Sequence, residues 1–168
     1  MRRAYYLVPP LPNCIIAPDM WSFFHKLGSP PWLYSISGAI LRWLLPITLV
    51  ALAIGLVWGV LFTAPDFRQG NSYRIIYIHV PSSVVALAGY YVMALAGAVS
   101  LIWKMKMADV AMQACAPIGA ALTFLALITG SIWGKPTWGT WWVWDARVTS
   151  MLILLFLYLG VIALYEAY

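Results

Sequence analysis

The residues best suited to chemistry in this sequence lie in a tryptophan-rich stretch at 133–147 (WGKPTWGTWWVWDAR), which contains five of the ten tryptophans. We refer to it as the tryptophan segment. Tryptophan has a large flat face and one N–H donor, so such a cluster beside a membrane either anchors in the headgroup region or forms a platform for a large planar ligand. Gly134, Pro136 and Gly139 interrupt a long helix and predict a structured loop across the segment.

A short interfacial helix from Thr140 onward would bring several side chains of this segment together. Its shared face, at i, i+3, i+4 and i+7 spacing, comprises Trp138, Trp141, Trp142 and Asp145. Asp145 and Arg147 would then lie at the rim of an aromatic shelf. The alternative is an aromatic belt at the membrane surface, which explains one or two tryptophans per helix end but explains this density poorly.

His79 is the second candidate for chemistry, within the sequence YIHVP. Pro81 suits a first helical turn, so the histidine is predicted to lie near the membrane surface on the side of the tryptophan segment. An ionisable side chain in or beside a span is costly and by default functional, and neutral imidazole is a good axial ligand for haem iron. The alternative is a histidine hydrogen-bonded to a neighbouring helix. His25 is expected to be an ordinary surface residue.

The spacing of Arg74, which follows Tyr73, is equally compatible with two interpretations of its role. Its guanidinium could bind a carboxylate bidentately, as on a porphyrin propionate. It could also be a helix-end arginine whose charged head extends to the membrane surface.

The composition requires a membrane protein, because 64% of the residues are hydrophobic, 9% are charged and the mean hydropathy is +0.86. The net charge of +5 is spread singly or in pairs at the ends of apolar runs, which is typical of membrane flanks and not of a nucleic-acid binder. Cys14 and Cys115 are far apart and form no C-x-x-C, so neither thiol-redox chemistry nor covalent haem attachment is predicted. No P-loop, Gly-x-Ser-x-Gly or carboxylate pair indicates an enzyme.

The elements that must position these residues are helices, and the predicted fold is an all-α membrane protein. Four apolar runs near or above the ~20 residues needed to cross hydrocarbon predict four spans, at about 43–64, 75–103, 110–133 and 148–165. Residues 1–19 are a candidate upstream extension with Met20 as the alternative start, and Pro30 and Pro31 are predicted to break an interfacial segment at 20–40. The basic residues on the two sides are equal in number from Met20, so charge alone does not orient the chain.

The segment WGTWWVWD at 138–145 resembles the tryptophan-rich WWD motif of the haem-handling membrane proteins of c-type cytochrome biogenesis. Among these proteins the chain is most similar to the CcmC family. The stretches QGNSYRIIYIHVP at 69–81 and APIG at 116–119 also match. The resemblance runs from about Met20 to Tyr168, and its tryptophan motif is highly specific.

The resemblance implies a six-helix bundle in the bacterial inner membrane, of which this chain would supply the first four helices. It further implies a cytoplasmic amino terminus and a periplasmic WWD loop at 133–147 that forms a platform for haem b. One axial histidine of the family matches His79. The second family histidine lies in a later outer loop, beyond the end of this sequence, so the chain alone is expected to bind haem weakly with mixed or five-coordinate ligation. A periplasmic haem chaperone, an ABC transporter and small subunits of the same system are the implied partners.

The predicted function is therefore haem presentation without catalysis. The predicted site has His79 as ligand to the haem iron, surrounded by Trp133, Trp138, Trp142, Trp144, Asp145, Arg74 and Arg147. One alternative is a transmembrane haem transporter, which would need a polar path that the apolar runs do not offer. The other is a structural membrane subunit whose tryptophans form a belt, and this alternative predicts no haem spectrum.

Overall fold

The computed structural model describes residues 29–167 of the chain, and within them nearly all regular structure is helical. The helices are α1 (Pro30–Val57), α2 (Ile76–Trp103), α3 (Lys106–Trp138) and α4 (Ala146–Ala167). A π-helical turn, Trp58–Phe62, prolongs α1, and a 3-10 turn, Asn71–Ile75, leads into α2. All four helices are long and apolar enough to cross a membrane, which confirms the predicted all-α fold with four membrane-length helices. The predictions for the first 28 residues, including the upstream extension, Met20 and His25, lie outside the described residues.

Helices α1, α3 and α4 begin before the predicted spans, most clearly α1. Pro30 and Pro31 were expected to break an interfacial segment, but they occupy the first turn of α1. A helix leaves the N–H groups of its first turn without internal partners, so proline loses nothing there and its fixed φ favours initiation. These two prolines therefore start a helix instead of interrupting one.

Helix α3 also continues into the tryptophan segment, where the sequence predicted a loop from residue 133. It runs through Gly134 and Pro136 and ends at Trp138. Proline removes a single backbone donor close to the helix end, and Thr137 Oγ1 donates to the Trp133 carbonyl at 2.8 Å in the same turn. Gly139, with φ of 76°, then ends the helix in the left-handed conformation that suits glycine.

The short helix predicted from Thr140 is wrong, because residues 140–145 are irregular and the next helix, α4, begins at Ala146. Asp145 is the reason for that starting point. Its Oδ1 accepts a hydrogen bond of 2.9 Å from the Val148 N–H, and its carbonyl accepts one of 3.0 Å from the Thr149 N–H. This is the pattern of a helix N-cap, which places Asp145 just outside the first turn.

The core of the bundle lies where α2, α3 and α4 meet, whereas α1 touches them at few places and contains no buried residue. Tyr158 of α4 is fully buried and crosses Gly119 of α3 to donate a 2.7 Å hydrogen bond to the Ala86 carbonyl of α2. Tyr90 packs edge-on against its ring at 5.6 Å between centroids. One side chain thus joins three helices, and it does so over a position that has no Cβ.

The connector between α1 and α2 meets α3 at the end of the bundle that carries the tryptophan segment. The indole Nε1 of Trp133 donates a 2.6 Å hydrogen bond to Oε1 of Gln69, in the connector between α1 and α2. His79, near the start of α2, contacts α3 at Ala126 and Thr129. The histidine and the tryptophan segment therefore lie at the same end.

Candidate functional site

A cavity of about 530 Å³ lies at this end, between α2, α3 and the first turns of α4. Three tryptophans of α3 and the following segment form aromatic walls: Trp133, Trp138 and Trp141. His79 contributes an imidazole to the cavity wall and Arg147 a guanidinium. Leu87 and Met151 line the cavity farther from the tryptophan segment. Volumes of about 300 to 1,000 Å³, mainly apolar walls and a few polar groups are typical of small-molecule sites.

The hydrogen bonds of His79 determine which ring nitrogen carries the proton. Nδ1 lies 3.0 Å from the Ala126 carbonyl oxygen and 3.1 Å from Thr129 Oγ1. The Thr129 hydroxyl donates its own hydrogen to the Leu125 carbonyl at 2.7 Å, so it can only accept from the histidine. Because both groups facing Nδ1 are acceptors, Nδ1 bears the hydrogen and Nε2 keeps its lone pair. A neutral imidazole in this tautomer is a metal ligand that a backbone carbonyl orients.

The imidazole of His79 is confined by α3 on two sides. The Trp133 ring meets it edge-on, with 5.7 Å between the centroids and 73° between the planes. Gly130 lies so close that a Cβ on this residue would stand 3.0 Å from His79 Cε1. Any larger residue at 130 would therefore press on the imidazole, which lies between Trp133 and the α3 backbone.

Arg147 and Trp138 form the rim of the cavity. The Arg147 guanidinium stacks on the Trp138 ring, with Cζ 5.3 Å from the centroid, and donates to Asp145 Oδ2 at 2.7 Å from Nη2. In the same segment, Lys135 Nζ lies 5.8 Å from the Trp141 centroid. Trp138 and Trp141 thus each have a cation over the ring.

Asp145 positions Arg147 and caps α4, which gives it a structural role beside the cavity. Its pKa is lowered, chiefly because the Val148 N–H donates to the carboxylate and next because Arg147 does. Since the folded-state pKa lies below the ordinary value of 3.8, the ionised carboxylate stabilises the fold above that pH, and this contribution is lost as the pH falls through the folded-state pKa.

We expect Asp145→Ala to lower the melting temperature in detergent more than Asp145→Asn, because asparagine still caps a helix but cannot pair with Arg147. The difference in melting temperature between wild type and Asp145→Asn should become smaller when the pH falls below the ordinary carboxyl pKa of 3.8. Thermal unfolding of the three proteins at neutral and acidic pH measures both effects. Equal melting temperatures for the alanine and asparagine variants would contradict the capping role.

The structure brings together four of the predicted site residues and leaves the other four off the cavity wall. His79, Trp133, Trp138 and Arg147 line the cavity. Asp145 reaches it only through Arg147. Trp142 and Trp144 pack edge-on against each other at 5.4 Å beyond the wall, and Trp144 is 75% exposed. The Trp142 Nε1 is buried without a hydrogen-bond partner among the described residues.

Arg74 is also absent from the cavity wall, and its guanidinium is engaged elsewhere. Nε and Nη2 donate to the Thr63 carbonyl at 3.0 and 2.7 Å. This oxygen belongs to the residue that ends the π-helical turn after α1. The contact ties the end of α1 to the start of α2, which is neither of the two roles considered from the sequence.

The wall also includes Gln69 and Trp141, which were not among the predicted site residues. Gln69 is the first residue of the stretch at 69–81 that carries the family resemblance, but the resemblance gave it no role. Trp141 was assigned to a face of the predicted helix from Thr140. Because that helix does not form, the helical spacing did not predict the neighbours of Trp141.

Comparison with known proteins gives consistent matches. The family model CcmC, described as Heme exporter protein C, matches residues 23–168. A protein named Heme exporter protein C from Escherichia coli (strain K12) is 56% identical over 149 residues, which cover 89% of this chain and 61% of the relative. Proteins of the same name from Haemophilus influenzae and Bradyrhizobium diazoefficiens are 52% and 48% identical, over 89% and 84% of this chain and 61% and 53% of the relatives. The chain thus spans about three fifths or less of the length of these relatives.

Proposed function

Because this chain belongs to the family of Heme exporter protein C, we propose that it binds haem in the cavity beside the tryptophan segment and serves the haem export step of cytochrome c maturation. The single observation that carries this proposal is the 3.0 Å contact of His79 Nδ1 with the Ala126 carbonyl oxygen, which assigns the hydrogen to Nδ1. An imidazole that donates from Nδ1 and keeps its Nε2 lone pair, on the wall of an aromatic cavity, is suited to coordinate iron.

The other groups on the wall fit the remaining parts of a haem molecule. Trp133, Trp138 and Trp141 offer flat apolar surface for a macrocycle, and burying such a surface is favourable without any bond to the metal. Arg147 at the rim is a suitable partner for a propionate, since guanidinium binds carboxylate bidentately. Haem would be held without a covalent link, as expected for haem b, because the sequence has no C-x-x-C-H motif.

In this proposal, haem is cargo and the chain catalyses no reaction. The chain lies in the inner membrane with the tryptophan segment on the periplasmic side, where it presents haem to a periplasmic haem chaperone. An ABC transporter and small subunits of the same system are further partners. The position of the cavity supports this role, because Trp138 and Trp141 at its rim are more than half exposed. A ligand held there is accessible to a soluble acceptor.

A haem titration of the purified protein in detergent tests the proposal. The protein should bind haem with a saturable Soret band that differs from the band of free haem in the same micelles. An absorption spectrum identical to that of free haem at all protein concentrations would support the structural-subunit alternative.

We expect Trp138→Ala to weaken haem binding about tenfold, whereas Trp144→Ala should leave it nearly unchanged. Trp138 lines the cavity and carries Arg147 on its ring, but Trp144 lies off the wall and is 75% exposed. Haem titrations of both variants measure the difference, with melting temperatures as a check on folding. Equal losses in the two variants would favour a general aromatic belt over a specific wall.

The proposed orientation predicts opposite labelling of two connectors in intact cells. In a background of Cys14→Ser and Cys115→Ser, a cysteine at Thr140 should react with a membrane-impermeant thiol reagent applied from the periplasm. A cysteine at Met105, in the turn between α2 and α3, should react only after the inner membrane is opened. The reverse pattern would place the tryptophan segment in the cytoplasm and remove the basis for a periplasmic acceptor.

A further inference from the structure

Gln69 lies far from the tryptophan segment in sequence, yet its side chain belongs to the same wall. Its Oε1 accepts a 2.6 Å hydrogen bond from Trp133 Nε1, and both residues line the cavity. The other end of this contact chain is the imidazole of His79, which the Trp133 ring meets edge-on at 5.7 Å. A continuous path of contacts therefore runs from the connector between α1 and α2 to the imidazole.

The turn that carries Gln69 is held by several hydrogen bonds of its own. Asp66 Oδ1 accepts from the N–H groups of Arg68 and Gln69, both at 2.8 Å. Asp66 and Gly70 exchange backbone hydrogen bonds of 3.1 and 2.9 Å, and Gly70 adopts a φ of 56° that glycine tolerates. The Ser72 hydroxyl donates to the Gln69 carbonyl at 2.5 Å. The backbone of Gln69 is thus held in place by hydrogen bonds that do not involve Trp133.

Arg74 fastens the same connector to the helices on either side. Its two donated hydrogen bonds hold the Thr63 carbonyl at the end of the π-helical turn, while Arg74 itself stands just before the first residue of α2. Hydrogen bonds from a charged donor are stronger than neutral ones. The support for Gln69 therefore rests on both α1 and α2.

We propose that Gln69 is a positioning residue for His79 and acts through Trp133. The hydrogen bonds at Nδ1 fix one edge of the imidazole, but contacts at a single nitrogen do not fix the tilt of the ring plane. The Trp133 ring blocks that tilt, and Gln69 holds the indole in the blocking orientation through Nε1. Without the Gln69 acceptor the partly buried indole N–H would have no hydrogen-bond partner. The Trp133 ring would then rotate to form another hydrogen bond and lose its contact with His79.

The chain has two histidines, so histidine-selective isotope labelling followed by NMR in micelles gives a direct test without haem. The ring signals of His79 are identified as those that persist in His25→Ala. Gln69→Leu and Trp133→Phe should each shift and broaden them, because both remove the hydrogen bond between the two residues. Gln69→Glu keeps an acceptor and should restore them, and Gln113→Leu, on an exposed position of α3, should leave them unchanged.

This inference rests on the proposed function for its consequence, which is that Gln69→Leu should weaken haem binding about tenfold and Gln69→Glu should recover most of the loss. The effects of Gln69→Leu and Trp133→Phe should not add in the double variant, since both break one contact. Unchanged His79 ring signals in Gln69→Leu, or additive effects in the double variant, would overturn the positioning role. Failure of the haem function alone would appear differently: the His79 ring signals would still shift and broaden in Gln69→Leu and recover in Gln69→Glu, but the protein would not bind haem.

Discussion

His79→Ala is expected to remove the iron ligand and to lower haem affinity by more than the roughly 10-fold to 100-fold that loss of an outer-shell partner costs. The reason is that Nε2 is the only nitrogen of this ring with a free lone pair, since Nδ1 donates to Ala126 and Thr129. The remaining haem should show a weaker Soret band at a shifted position, because the tryptophan walls still bind the macrocycle. Titration of the purified variant with haem measures both changes.

His25→Ala is the matched control, because it removes the other histidine of the chain. It should leave the haem spectrum and affinity unchanged. Membrane insertion of His79→Ala should also be normal, since one half-buried polar side chain at the end of a span contributes little to the insertion of an apolar helix. A full Soret band in His79→Ala together with its loss in His25→Ala would transfer the ligand role to His25.

Gly119→Ala is expected to destabilise the bundle by about 1 to 3 kcal/mol or more, the usual cost of overpacking a close contact. A Cβ at this position would overlap the ring of Tyr158, which is fully buried and hydrogen-bonded to the Ala86 carbonyl. Neither helix can move aside freely, because the same tyrosine joins α2, α3 and α4. Thermal unfolding in detergent should show a clear fall in the melting temperature.

Gly160→Ala is the matched control in α4, because a Cβ there meets nothing within 4 Å. It should be neutral or slightly stabilising, as expected from the higher helix propensity of alanine. In a Tyr158→Leu background, Gly119→Ala should cost much less than it does in the wild type, because the shorter side chain no longer covers Gly119. The same loss in both backgrounds would show that the overlap with Tyr158 is not its cause.

The sequence alone determined the helical membrane fold, because the cost of exposing backbone polar groups in hydrocarbon forces long apolar runs into helices. It also identified His79 and the tryptophan segment as the candidate site. The bounds of the helices were less predictable. Pro30 and Pro136 are helix breakers by type, but at a first turn and near a last turn their missing N–H costs little.

Which aromatic rings face the cavity depended on the tertiary structure. The predicted helix from Thr140 would have placed Trp138, Trp141 and Trp142 on one face. Because Gly139 ends α3 and Asp145 caps α4, the residues between them follow no helical period, and Trp142 packs against Trp144 instead. Local periodicity carries no information about an irregular connector.

The tautomer of His79 and the partners of Arg74 were likewise decided by tertiary contacts. Both depend on acceptors remote in sequence, the Ala126 carbonyl for the histidine and the Thr63 carbonyl for the arginine. The sequence predicted that an imidazole and a guanidinium would lie near the membrane surface, since their types and positions beside apolar runs are visible in it. Only the packing of α2 on α3 decided that the imidazole would keep Nε2 free, because a backbone carbonyl becomes its partner only when the two helices meet.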